Sequence, residues 1–268
     1  FFTPHPYRWF LLLSASIFFY MAFVPAYILI LAMLILVDYF AGIWIEQAQP
    51  DRKKIFLITS IISACLVLLA FKYFDFFAEN VNALANFIGW NYSLGLLKIA
   101  LPLGLSFHTF QSLSYVVEVY RGKQKAERHF GIYALYVMFY PQLVAGPIER
   151  PQHLLPQLRA RHTFDYIRVV HGLRRMLWGM FKKVVIADRL AFFVGPVFDN
   201  PTNYSGISLL ATIVYFAIQI YCDFSGYVDI ALGSAKVMGI ELTENFRQPY
   251  FSRSVSEFWR RWHISLSS

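Results

Sequence analysis

The stretch AYILILAMLILVDYFAGIWI, residues 26–45, decides the fold, because Asp38 is its only charged residue. A helix of about 20 such residues is long enough to cross the hydrocarbon core of a bilayer. Similar apolar blocks lie at residues 9–24, 55–71, 99–119, 130–148, 184–198 and 207–222. The sequence therefore predicts an all-α fold, a polytopic bundle of membrane helices.

The composition argues for the same class of protein. Of the 268 residues, 57% are hydrophobic and 15% are charged, and the mean hydropathy is +0.48. A soluble domain of this length needs more polar surface to cover itself. Because no repeat or long linker interrupts the chain, we expect a single membrane domain over residues 1–268. We also expect a fragment that lacks the C-terminal part of its fold, since the chain starts at Phe1 and stops inside a predicted helix.

The net charge of +8 comes from short basic loops between the apolar blocks. Such loops are typical of the cytoplasmic side of membrane proteins, so we expect the lipid bilayer as a partner and no nucleic acid. Residues 52–54 and 121–128 are assigned to the cytoplasm by this rule, and residues 79–97, which carry no Lys or Arg, to an outer loop. Cys65 and Cys222 form neither a disulfide framework nor a metal cluster, so no metal site is expected.

Two segments are predicted to depart from simple spans. Residues 130–148 lie between basic stretches and contain Pro141 and Pro147, which favours a re-entrant element, with an ordinary span as the alternative. Residues 173–184 carry apolar side chains at i, i+3, i+4 and i+7, with Arg175 off that face. This pattern predicts an amphipathic helix in the cytoplasmic interface, and a helix packed on neighbouring spans fits it nearly as well.

Ionisable residues inside apolar blocks are costly and are therefore functional candidates. They are Asp38, His108, Glu118, Asp223 and Asp229. His108 could line a polar funnel or be satisfied within the bundle. Asp223 could simply cap a helix that starts at the next residue. Asp223 and Asp229 lack the i, i+3 or i+4 spacing that would place them on one face, so they are not predicted to act as a pair.

The last part of the chain contains a clear helix start. Ser254 followed by Glu257 forms a capping box, which predicts a helix from Val255. Glu257 lies one turn before Arg261, the favourable orientation for an ion pair.

His263 lies at the predicted end of this helix. Trp259 and His263 are four residues apart and are expected to share a face, with Arg260 one turn from the imidazole. A histidine beside aromatic rings and a guanidinium suits proton transfer near neutral pH, although a purely structural role fits the same pattern.

Three runs carry a resemblance to a known family: FYPQLVAGPIERP (139–151), YCDFSGYVDIALG (221–233) and ENFRQPYFSRSVSEFWRRWHISLSS (244–268). Together they resemble the membrane-bound O-acyltransferases, and within them the bacterial alginate O-acetyltransferase branch. The resemblance implies a helical bundle in the bacterial inner membrane with a funnel to a buried site. It also implies an acyl thioester from the cytoplasm, such as acetyl-CoA, as donor, with no tightly bound cofactor. The acyl group would pass to a polysaccharide hydroxyl or to a periplasmic acetyltransferase partner.

The resemblance also implies site residues. His263 matches the first of the two histidines of the family, and the second, regarded as the catalytic one, would lie beyond Ser268, so residues 1–268 alone are expected to be inactive. The supporting residues that we expect are Asp223, Asn245, Glu257, Trp259, Arg260 and Arg261. Direct transfer is favoured, with histidine as general base, because the chain has no GxSxG elbow.

Other functions and acceptors stay open at this point. A transporter or flippase could use buried Asp and His residues, but it predicts inverted repeats, which the sequence does not display. A membrane scaffold that binds partners is a third possibility. For an acyltransferase, the acceptor could be alginate, another exopolysaccharide, peptidoglycan or a wall polymer.

Overall fold

A computed structural model of the chain describes residues 3–90, 95 and 104–267. Over these ranges the chain is helical and forms no β-strand, which confirms the predicted all-α class. The helices are α1 (His5–Met21), α2 (Tyr27–Gln47), α3 (Pro50–Leu68), α4 (Phe74–Phe87), α5 (Leu105–Tyr120), α6 (Phe130–Met138), α7 (Pro151–Arg159), α8 (Tyr166–Met180), α9 (Asp188–Asp199), α10 (Gly206–Met238), α11 (Val255–Arg261) and α12 (Ile264–Ser267). Two π-helical segments, Leu69–Tyr73 and Phe181–Ala187, join α3 to α4 and α8 to α9. Short 3-10 turns form at Pro201–Asn203 and Pro249–Phe251.

Three of the described helical stretches are long and apolar enough to cross a membrane. They are α2, the continuous helix Pro50–Phe87, and α10, with 21, 38 and 33 residues. Many of their apolar side chains are exposed, Leu29 and Leu66 among them. Apolar side chains on the outside of long apolar helices are what a lipid solvent requires. The chain is therefore a membrane protein.

The predicted outer loop at residues 79–97 is wrong over its first part, because α4 continues to Phe87. Ala78 and Ala85, two turns apart, are buried on one face, and Glu79, Asn80 and Asn86 lie exposed on the other faces. An amphipathic helix therefore accounts for the polar residues that suggested a loop. Residues 91–94, 96 and 97 of the predicted loop, and the start of the apolar block at 99–119, lie outside the described residues.

The chain divides into two compact units. The N-terminal unit comprises Phe10–Tyr140 and Arg150–Gln152, and the C-terminal unit comprises Phe1–Trp9, Pro141–Glu149 and His153–Ser268. The organisation as one membrane domain stays a prediction.

In the N-terminal unit, tyrosines and buried polar groups fill the space between helices. Asp38 is buried and accepts hydrogen bonds from the hydroxyls of Ser60, at 2.6 Å, and Ser112. The Ser112 hydroxyl also lies 3.1 Å from the hydroxyl of Tyr133, which is buried on α6. Since the carboxylate has donors on both oxygens, Asp38 acts as a linker of α2, α3 and α5 in this unit.

His108 and Glu118, both on α5, are also buried. The His108 ring packs edge-on against the ring of Tyr20, with centroids 5.9 Å apart. Glu118 accepts a hydrogen bond from the Gln152 amide at 2.6 Å. Both residues are therefore surrounded by protein within this unit, but the Nε2 atom of His108 has no hydrogen-bond partner among the described residues, so a satisfied role in the bundle is not confirmed.

The short helix α6 ends at Met138, before Pro141. Nine residues rise only about 13 Å, less than half of the hydrocarbon thickness of a membrane. All residues of α6 from Gly131 to Met138 are buried. A continuous helical span over residues 130–148 is thus ruled out, and the re-entrant path itself stays a prediction.

In the C-terminal unit, α8 and the segments that follow it pack antiparallel along α10. Gly172 lies opposite Gly233, and Gly179 lies opposite Gly226. A Cβ atom added to Gly172 would come within 2.7 Å of the Gly233 carbonyl oxygen, so the two backbones are in direct contact. Small residues permit this close approach between membrane helices.

The apolar face of residues 173–184 lies on the outside of this helix pair. Leu177, Met180 and Val184 are each more than half exposed, whereas Gly172 and Gly179 are buried against α10. The helix packs along α10 through its glycines, while its apolar face stays exposed as an interfacial helix requires, so the interfacial position stays a prediction.

Candidate functional site

Helix α11 begins as predicted. The Ser254 hydroxyl accepts a hydrogen bond from the Glu257 N–H at 3.1 Å, and the helix starts at Val255. The Glu257 carboxylate accepts from the Arg253 N–H at 2.8 Å, one residue earlier than in a standard capping box. It also pairs with Arg261 at 2.5 Å. The Arg253 N–H, followed by the Arg261 charge, lowers the pKa of Glu257.

The helix ends at Arg261, so the predicted shared face of Trp259, Arg260 and His263 is wrong. His263 has left the helix with a φ of 47°, and its side chain is buried at 6% relative exposure, whereas Trp259 is 53% exposed. The Arg260 guanidinium turns back to the Ser256 carbonyl oxygen, at 3.3 Å. Trp259 and Arg260 therefore do not share a helical face with the imidazole, and their supporting roles stay a prediction.

Backbone pairing with the segment around Phe246 ends the helix. The Arg247 N–H donates to the Arg261 carbonyl oxygen at 3.0 Å, and Phe246 and Trp262 form an antiparallel bridge. These bonds hold Trp262 in extended conformation. The chain then turns at His263 in a left-handed conformation, which non-glycine residues rarely adopt and which recurs at functional sites.

Asn245 stabilises this turn through both its backbone and its side chain. Its carbonyl oxygen accepts the Ile264 N–H at 3.1 Å, and its Oδ1 accepts the Ser265 N–H at 3.0 Å. The side chain is fully buried, and its Nδ2 has no hydrogen-bond partner in the part of the chain that the structure describes. A buried N–H without a partner costs about 1–3 kcal/mol, so Nδ2 is a donor suited to a bound group.

Aromatic rings surround the turn. The Trp262 ring contacts those of Phe246, at 5.0 Å between centroids, and Phe258, at 5.5 Å. The His263 imidazole packs edge-on against Phe224 of α10 at 4.9 Å. Burial among these groups lowers the pKa of His263 from its ordinary value of 6.5. The imidazole is therefore neutral at pH 7 and able to accept a proton.

Phe246 also lines a polar cavity of about 160 Å³. The Arg175 guanidinium binds Glu244 through two hydrogen bonds, at 2.5 and 2.6 Å, and Asp229 through a third at 2.9 Å. Lys182, which is buried, pairs with Asp229 at 2.5 Å and donates to the Ser225 hydroxyl at 2.9 Å. The remaining lining residues are Trp178, Tyr221, Val228 and Phe246. Since the two cations face two carboxylates, the lining is balanced in charge.

Asp223 does not cap a helix, because α10 runs without interruption from Gly206 to Met238. Its carboxylate pairs with Lys183 at 2.5 Å on a half-exposed face. Asp229 points instead to Arg175 and Lys182. The inference that the two aspartates do not form a pair is confirmed, and Asp223 does not contact His263.

The comparison with known families concerns this half of the chain in particular. Residues 129–268 match the model of the membrane-bound O-acyltransferase family, MBOAT. The chain belongs to this family. The match covers the Asn245–His263 turn and the polar cavity, and it agrees with the helical fold and the long apolar helices.

Two curated bacterial proteins are similar over nearly the whole chain, and a third is similar over part of it. The "Probable alginate O-acetylase AlgI" of Pseudomonas aeruginosa is 40% identical over 98% of the chain and 50% of its own length. The "Peptidoglycan O-acetyltransferase" of Helicobacter pylori is 36% identical over 96% of the chain and 53% of its own length. The "Teichoic acid D-alanyltransferase" of Bacillus subtilis is 27% identical over 62% of the chain. The chain thus spans about half the length of the curated relatives that it matches.

Sequence reasoning found some site residues and missed others. Asn245 and His263 are brought together, and the Glu257–Arg261 pair stabilises the helix that leads to them. The ion network of Arg175, Lys182 and Glu244 was missed. The spacing contained a signal, because Arg175 and Lys182 are seven residues apart and therefore lie on one helix face.

Proposed function

We propose that the whole protein transfers an acyl group, most directly an acetyl group, from a thioester to a hydroxyl of an exported polysaccharide. The observation that carries this proposal is the buried His263 imidazole on a left-handed turn braced by Asn245, within the region that matches the MBOAT family. A neutral imidazole and a free amide donor are the two groups that direct acyl transfer needs.

In the proposed reaction, His263 takes the proton of the acceptor hydroxyl as the hydroxyl oxygen attacks the thioester carbonyl carbon. The Asn245 Nδ2 donates a hydrogen bond to the oxyanion of the tetrahedral intermediate. The carbon–sulfur bond then breaks, and the thiolate takes the proton back from the imidazolium. General base catalysis of this kind contributes roughly 10²–10⁴-fold in rate. The second histidine that the resemblance implies would share this proton transfer.

We further propose a multi-pass protein of the bacterial inner membrane that draws on acetyl-CoA or another acyl thioester. The bacterial relatives named for alginate and for peptidoglycan support a polysaccharide acceptor, reached directly or through a periplasmic acetyltransferase. No tightly bound cofactor is needed for direct transfer. The two relatives are named for different polymers and have similar sequence identity to the chain. The proposal is therefore limited to exported polysaccharides as a class of acceptor.

The experiment compares cells that produce the whole protein with cells that produce His263→Ala. Alkali-labile acetate is measured on the exported polysaccharide and on the isolated wall. We expect ester acetate to fall to background in His263→Ala while the protein remains in the membrane at normal level. His171→Ala is the matched control, because His171 is exposed on α8 and lies outside the site. Normal acetate in His263→Ala would contradict the role of His263, and movement of substrate without ester formation would favour a transporter.

A further inference from the structure

Glu149 is a carboxylate in an unexpected place. It lies in the non-helical segment between α6 and α7, and its side chain has no exposed surface. Burying a carboxylate is costly unless charge and hydrogen bonds compensate. Glu149 accepts hydrogen bonds from the Thr243 N–H and from the Thr243 hydroxyl, the latter at 3.1 Å. A third contact, at 2.7 Å, joins its Oε2 to Nδ1 of His153.

These bonds lead to the His263 turn from one side. Thr243 lies two residues before Asn245, and Asn245 accepts the N–H groups of Ile264 and Ser265. The orientation of the Asn245 backbone therefore depends on how firmly Thr243 is held. The carboxylate of Glu149 is what holds the Thr243 N–H.

The residue next to Glu149 reaches the turn from the other side. The Ile148 N–H donates to the Ser265 hydroxyl at 3.0 Å. Ser265 lies two residues after His263. Asn245 belongs to the segment that pairs with the backbone on the other side of the turn. Residues 148 and 149 thus connect to both chain segments that flank His263.

From this closed set of hydrogen bonds we infer that Glu149 is a positioning residue for His263, and that a protonated His153 is its counter-ion. A left-handed histidine persists only when its surroundings fix the backbone, and Glu149 supplies a charged acceptor for that purpose. The effect on catalysis rests on the proposed function of His263, whereas the effect on the turn does not.

The environment of His153 fits the role of counter-ion. Its side chain is 45% exposed, so the imidazole exchanges protons with solvent. The hydrogen bond to Glu149 raises the pKa of His153, and Glu241 adds to the effect. Gln157 is the remaining polar neighbour, at 3.4 Å from Nε2. Because the pKa is raised, the charged pair persists to higher pH than an ordinary histidine would allow, and it is lost as the pH rises through the folded-state pKa.

The test measures the accessibility of His263 in the purified whole protein. Diethyl pyrocarbonate modifies accessible imidazoles, and peptide mass spectrometry gives the rate at each histidine. We expect Glu149→Gln to accelerate modification of His263 at least fivefold at pH 7. Glu241→Gln is the matched control, since Glu241 also lies near His153 but its side chain is not bonded to Thr243, and its effect on the rate should be much smaller.

A pH series distinguishes a loss of His263 positioning from a general destabilisation of the protein. In the unaltered protein, modification of His263 should accelerate as the pH rises through the folded-state pKa of His153, beyond the change at exposed histidines. In His153→Gln this additional step should be absent. Thr243→Val keeps the backbone N–H and removes the hydrogen bond from the hydroxyl to Glu149, so the rate of His263 modification should be intermediate. This variant replaces Glu149→Gln in the test if Glu149→Gln does not accumulate in the membrane.

The outcomes distinguish the effect of Glu149 on the His263 turn from its effect on catalysis. Equal His263 rates in the unaltered protein, in Glu149→Gln and in Thr243→Val would overturn the positioning role. Faster modification of His263 in Glu149→Gln, with undiminished polysaccharide acetylation, would support positioning while contradicting the proposed function of His263.

Discussion

Gly179 and Gly226 bring the backbones of α8 and α10 into direct contact. A Cβ atom at position 179 would lie 2.5 Å from the carbonyl oxygen of Gly226. No side chain can yield there, because the clashing atom belongs to the backbone. The ion network that joins Arg175 and Lys182 of this hairpin to Asp229 depends on the same helix spacing.

We therefore expect Gly179→Ala to destabilise the protein by about 1–3 kcal/mol, since the added methyl group forces the helices apart. The measurement is reversible unfolding in mixed detergent micelles. Gly206→Ala is the matched control, because position 206 is helical and nothing lies within 4 Å of its Cβ. Loss of stability in both variants to the same extent would mean that the close contact is unimportant.

Asp229→Asn should be strongly destabilising, because it leaves the buried Lys182 ammonium without its charged partner. Breaking such a pair costs about 3–5 kcal/mol. Lys182→Met in the same background should recover part of the loss. Asp223→Asn, on the same helix, removes an ion pair whose two side chains are about half exposed, and should cost at most about 1 kcal/mol. A similar loss for both aspartates would contradict the burial of the Lys182–Asp229 pair.

The pH dependence of acyl transfer should reflect the buried imidazole. Because burial lowers the pKa of His263, the neutral form persists below the ordinary value of 6.5. We therefore expect the acid limb of acyl transfer by the whole protein to be centred below pH 6.5. The folded state also loses stability over that acidic range, since the unfolded chain binds the proton first. An acid limb centred above pH 6.5 would exclude His263 as the titrating base.

Ser254→Ala should lower the stability of α11 by about 0.5–2 kcal/mol, because the Glu257 N–H loses its cap. Hydrogen exchange at the amides of Glu257 and Phe258 reports this change locally. Ser256→Ala lies inside the same helix and should change stability by no more than about 0.5 kcal/mol. If the two serines behave alike, the cap does not define the start of this helix.

The features that the sequence predicted correctly are local ones. The cap at Ser254 and the Glu257–Arg261 pair involve residues three and four apart, and the membrane helices are recognisable from continuous apolar runs. Such patterns depend on the helix geometry alone. These local patterns form independently of the fold of the rest of the chain.

The features that the sequence did not predict depend on distant partners. The helix before His263 stops at Arg261 because residues 245–247 bind the following backbone, and no local signal marks that pairing. The Asp-Phe-Ser-Gly run at Asp223 resembles a helix start, yet α10 continues through it because Gly226 is required for contact with α8. Here tertiary contact outweighs local propensity.

The left-handed backbone of His263 places selection for stability in opposition to selection for the proposed activity. A side chain with a Cβ costs about 1–2 kcal/mol in this conformation, and glycine avoids that cost. We therefore expect His263→Gly to be more stable than His263→Ala, the reverse of the usual order in a helix. Selection for stability alone would replace this histidine with glycine. Under the proposed function, a lineage that keeps histidine there retains this strain for its chemistry, and a lineage that has lost the activity is free to relax it.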